Sequence, residues 1–147
     1  MASNMRFLAI TVLIFSLLSC KSTRFTADKL PEKQLIIGSQ GGFTGFGSEF
    51  IFCESGQVFK KSAASDKIEE LNIPKKSKLR KFFKNAWEQP WLKNDYVKPG
   101  NFSTIMIFKD KDFLKKYVWT NADTLINPDI KLMVDDAKKL INQNADK

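Results

Sequence analysis

An apolar run at the start of the chain decides how much of it can belong to a folded domain. After the basic start Met5-Arg6, residues Phe7 to Phe15 are apolar apart from Thr11, and Ser16-Leu17-Leu18 carries the run on. A charged leader followed by about a dozen such residues has the pattern of an export signal. It is too short to cross a hydrocarbon layer of about 30 Å as a helix. The run stops at Ser19-Cys20, where a small side chain leaves the backbone open to a signal peptidase. Beyond Cys20 remain 127 of the 147 residues, a usual size for one domain.

With 43% apolar residues and 13 phenylalanines, that remainder is rich enough to bury a core. Once Cys20 is set aside, Cys53 is the only cysteine, so no intramolecular disulfide forms and the fold stands on packing. Cys53 lies in Phe50-Ile51-Phe52-Cys53 and reads as a packed strand residue, not a reactive thiol. The chain has no histidine. It therefore lacks the commonest general base, the commonest zinc ligand and every Ser-His or Cys-His pair. Enzymes built on carboxylate pairs or on lysine survive this test. No cofactor and no metal are expected.

Of 24 Lys and Arg, only Arg6 precedes Cys20, so 23 face 16 Asp and Glu, a net of +7. Such a surplus favours anionic lipid or an acidic envelope polymer, and an exported chain does not meet nucleic acid.

Residues 20–33 are polar and read as a tether, and 34–147 as one domain. Gln34-Leu35-Ile36-Ile37 opens it as a short strand. A cluster from Gly38 to Gly47 holds five of the seven glycines, and Ser48 to Cys53 is the next strand. Gly56 supplies a hairpin turn to Val58-Phe59-Lys60-Lys61, and Ile68 marks a further edge strand. Asn72 and Pro74 then open a helix, with Leu79, Phe82, Phe83, Ala86 and Trp87 on one stripe. Pro90 ends it, and an aromatic-rich loop runs to Pro99-Gly100. Phe102 to Phe108 and Phe113 to Thr120 form a second hairpin. Asn127-Pro128-Asp129 starts a last helix, with Ile130, Met133, Val134, Ala137, Leu140 and Ile141 on one face. Antiparallel hairpins covered by two helices make an α+β two-layer sandwich.

Three features invite a functional reading. The glycine cluster does not read as a phosphate loop, because a strand follows it instead of a helix. It is either a structural bulge or wide hairpin, or a binding loop presenting Phe43, Thr44 and Phe46 at its tip. Lys78, Arg80, Lys81 and Lys84 lie opposite the apolar stripe of their helix, either as a solvated face or as an electrostatic foot on anionic lipid. Asp110 with Asp112, and Asp135 with Asp136, are close aspartate pairs. Neither has the spacing of a calcium loop, and adjacent helical carboxylates do not face one site.

Leu17-Leu18-Ser19-Cys20 resembles the bacterial lipobox. The resemblance implies cleavage before Cys20, a diacylglyceryl thioether on its sulfur and a fatty acid such as palmitate on the new amino terminus. The segments Gly41-Gly42-Phe43-Thr44-Gly45, Glu54 to Phe59, Lys98-Pro99-Gly100-Asn101 and Tyr117-Val118-Trp119 resemble a group of small lipoproteins of Bacteroidota-type bacteria. That likeness implies no activity, catalytic residue or cofactor. It implies a place in the cell envelope, at the outer membrane before the inner. Lys21-Ser22-Thr23 lacks the acidic residues associated with surface export there. The expectation is a membrane-anchored, non-enzymatic binding or structural module. The competing expectation is an inhibitor or enzyme acting on envelope polymers through the loop from Gly38 to Gly47.

Overall fold

Side chains that alternate between two covered faces build a single sheet. The computed structural model describes residues 24–41, 47–62 and 65–142. Within them run β1 (Gln34–Gly41), β2 (Ser48–Cys53), β3 (Val58–Ser62) and β4 (Ile68–Glu70), then β5 (Tyr96–Val97), β6 (Phe102–Asp110) and β7 (Phe113–Trp119). Their spatial order is β4-β3-β2-β1-β6-β7-β5. The register sets Leu35 between Phe52 and Phe108, and Ile37 between Phe50 and Met106. Because the strand period is two, these residues share one face and form the floor of the main core.

Two helices cover that floor: α1 (Lys76–Trp87) and α2 (Pro128–Asn142). The expected stripes face inward. Leu79, Phe83 and Ala86 are buried from α1, and Ile130, Val134 and Ala137 from α2. Phe82 packs on Phe52 with ring centres 5.3 Å apart, and Trp87 meets Phe108 edge-on at 5.4 Å. The start of α2 follows the usual chemistry. Asn127 Oδ1 accepts the Asp129 N–H at 2.9 Å, Pro128 fills the first helical position, and Asp129 sets its carboxylate against the positive end of the helix. Helix α1 begins at Lys75 with no side-chain cap. Its start is set by the β2–β3 turn, where Gly56 has φ +80° and a Cβ would lie 2.4 Å from the Lys76 carbonyl oxygen.

The structure is thus the α+β sandwich of hairpins and two helices, with three departures in detail. Tyr96–Val97, within the segment expected as loop, pairs parallel with β7 and makes the sheet mixed. Two residues carry no period to read; the strand is held by Lys98 N–H donating to the Val118 carbonyl at 2.8 Å and by Tyr96 Oη donating to Asp123 at 2.7 Å. The first strand does not stop at Ile37. It runs through Gly38 to Gly41 because β6 continues beside it as far as Phe102.

The third departure is at the expected tether, which is docked from Phe25 onward. Phe25 and Leu30 lie on the opposite face of the sheet, against Ile51, Cys53 and Phe59. Gln57, only 3% exposed, fixes Phe25 with both ends of its amide. Its Oε1 accepts the Phe25 N–H at 2.8 Å, and its Nε2 donates to the Phe25 carbonyl at 3.0 Å. A paired polar group at this depth satisfies what burial would otherwise leave unmet.

Candidate functional site

The cations expected to act together fall into different company. Helix α1 turns Lys78 and Lys81 toward α2, where they line a groove of about 350 Å³ with Phe82, Asn85, Asp136, Lys139 and Leu140. Arg80 points elsewhere and donates from Nη1 to the Ser55 carbonyl at 3.3 Å, bracing the β2–β3 turn. Lys84 sits 3.9 Å from Glu88 one turn on, and Lys139 sits 3.3 Å from Asp136. Of the four α1 cations, Lys78 and Lys81 are the two whose side chains are left without a partner among the described residues, with Lys139 opposite them. Both α1 lysines are exposed and, among the described residues, form no ion pair. Two free ammonium groups above an apolar floor of Phe82 and Leu140 suit an anion that carries hydrocarbon.

The chain enters the domain beside this helix. Arg24 Nη2 reaches Glu70 Oε2 at 3.3 Å, and Lys76 Nζ stands 3.6 Å from the other oxygen of the same carboxylate. Partial burial opposes ionisation of Glu70. Hydrogen bonds from Gln57 and Arg24, with the charges of Arg24 and Lys76, outweigh it and hold the group below the usual carboxylate range. One carboxylate thus joins the entering strand of chain to the first turn of α1. Sequence reading gave Glu70 and Gln57 no role of their own; each matters because the hairpin and α1 converge there.

Cys20, and Phe43, Thr44 and Phe46 at the tip of the glycine cluster, lie outside the described residues. The two bases of that cluster are described. Gly38 and Ser39 on β1, and Ser48 on β2, border a separate cavity beneath the end of α2. Cys53 is buried, and loss of solvent, with the charges of Glu54 and Glu70, pushes its thiol up to about 12. It is an inert packing residue. Among the described residues there is no cluster of three or more side chains suited to holding a metal ion, and no helix long and apolar enough to cross a membrane. No protein-family model matches the chain, and no curated protein matches it.

Proposed function

We propose that the protein is a lipid-anchored module of the bacterial envelope, attached through Cys20, that binds anionic headgroups with Lys78 and Lys81 and catalyses no reaction. One observation supports this reading: the chain enters the domain beside the basic helix, held at Phe25 by Gln57 and reaching Glu70 with Arg24. Cys20 precedes Arg24 by four residues, a reach of at most about 14 Å for extended chain. An acyl chain on Cys20 would hold Arg24 within that distance of the headgroups, with the first turn of α1 joined to it through Glu70. Charges of this kind act over a screening length of about 8 Å at physiological salt, so the foot acts when the four-residue tether is well short of full extension.

Flotation with vesicles of phosphatidylglycerol and phosphatidylcholine tests the foot on protein in which Cys20→Ser removes the acylation site. Weak binding is expected that falls as salt rises from 20 to 300 mM (~21 to ~6 Å of screening length). K78E/K81E should remove it, while K84E should have little effect because Lys84 already faces Glu88. Equal binding to pure phosphatidylcholine, or indifference to K78E/K81E, refutes the foot. The anchor is tested by mass spectrometry of protein from native membranes, where an unmodified Cys20 or a retained residue Met1 refutes it.

A further inference from the structure

We propose that the cavity at the base of the β1–β2 connection is a binding site for a small amphipathic monocarboxylate. This inference does not rest on membrane attachment. The cavity holds about 300 Å³ between the end of α2 and the ends of β1, β2 and β6. It lies at the Ser48 end of β2, whereas the chain enters near Gln57, beyond the Cys53 end. A strand of six residues, about 20 Å long, separates the two. The cavity therefore lies at the opposite end of β2 from the segment that holds Arg24.

Its walls divide by chemistry. Ile37, Phe50, Ala137 and Ile141 make an apolar chamber, and Phe102 stands at its rim, 60% exposed. Gly38 keeps the floor open. A Cβ there would lie 2.5 Å from the Ser48 carbonyl oxygen, so the close approach of β1 to β2 tolerates no side chain. The hydroxyls of Ser39, Ser48 and Thr104 border the same space. Among the described residues none of the three makes a side-chain hydrogen bond, which leaves them open to a ligand.

The polar end is set by Lys138. It borders both the chamber and a second recess of about 210 Å³, which shares Thr104 and Asn121 and adds Lys131 and Asp135. The Lys131 ammonium donates to the Asp123 carbonyl and borders only the second recess. Lys138 has no ion-pair partner among the described residues and alone of the two lysines lines the chamber as well, so it is the cation placed to take an anion at the mouth. Asp135, one turn earlier on the same recess, repels a second negative group. One acid group at Lys138 with a hydrocarbon body in the chamber satisfies every wall. At about 30 Å³ per water-sized group the chamber takes about ten heavy atoms. Octanoate has that size.

Chemical-shift titration of the purified protein with octanoate, octanol and octanedioate tests the site. Octanoate is expected to give saturable shifts at Gly38, Ser39 and Thr104, and to bind more tightly than either analogue. K138E should weaken octanoate about fivefold or more, the loss of a charge-assisted contact, and leave octanol unchanged. I141W, which fills the chamber, should weaken both. The proposal is overturned by shifts that do not saturate, by shifts confined to the groove at Lys78 and Lys81, or by a K138E protein that binds octanoate as well as before.

Discussion

Arg24 and Glu70 stand 46 positions apart and meet at 3.3 Å, where the incoming chain, the edge of the sheet and the start of α1 share one carboxylate. The arrangement makes the entering segment part of the domain, and its strength is open to measurement.

Most of that strength lies in Gln57, not in the ion pair. Arg24 is largely exposed, and such a pair contributes at most about 1 kcal/mol. Gln57→Ala removes two bonds to Phe25 from a buried position and should cost about 1–3 kcal/mol in a urea melt. Amide exchange at Phe25 should rise with it. R24A should move neither by more than about 1 kcal/mol. The reverse ranking would mean that the ion pair is the true clamp.

The same junction should loosen in acid. The Glu70 carboxyl is held below its ordinary value in the folded state, so its contribution is fully present above the unfolded value and is lost as pH falls through the folded one. Amide protection at Phe25 should therefore fall as pH drops below about 4, and E70Q should remove that dependence while leaving the protein folded at neutral pH. A Phe25 amide whose protection ignores pH from 6 to 3 would exclude the mechanism.

Phe83→Ala should cost about 3–5 kcal/mol, because the ring is 4% exposed and packs beneath α1 against Trp87. Leu140→Ala should cost less, about 1–2 kcal/mol, since that side chain is only half-buried at the α1–α2 groove. Equal losses in denaturant melts would show that the two helical stripes are equally deep, against the burial seen here.

Cys53 should resist thiol reagents in the native protein at pH 8. Its thiol is pushed up to about 12 and its surface is closed by Phe25, Leu30 and the strand pairs around it. Labelling should then follow the rate or equilibrium of opening and accelerate when Gln57→Ala frees Phe25. Fast labelling of the unaltered protein would contradict the docking of 24–33.

Sequence and structure agree where a period has room to repeat. Twelve residues of α1 and fifteen of α2 give three to four turns each, enough for Leu79 to Trp87 and Ile130 to Ile141 to declare their faces. Tyr96–Val97 is too short to declare anything, and its pairing comes from β7 and Asp123. Phe25 and Leu30 are two apolar residues among polar ones, so their burial follows from the underside of the sheet needing cover. The cation run was visible, but not its division. Arg80 and Lys84 find Ser55 and Glu88, and only Lys78 and Lys81 are left for a partner. The cavity was signalled only by the glycines at its base; Thr104, Asn121 and Lys138 come from elements far along the chain.

The place of β1 between β2 and β6 sets an order of events for a chain made from its amino terminus. Gln34 pairs with Lys109 and Gly41 with Phe102, separations of 75 and 61 residues, so this seam closes only when the second hairpin exists. Until then the first four strands are a half-sheet whose open border is Leu35, Ile36 and Ile37, an apolar strand with unmet backbone donors and acceptors. Long-range pairing of this kind is slow to form, and an uncovered border invites a neighbouring chain. The step most exposed to misassembly is therefore the arrival of β6, and substitutions that delay it should lower the yield of soluble protein while leaving the finished fold as stable as before.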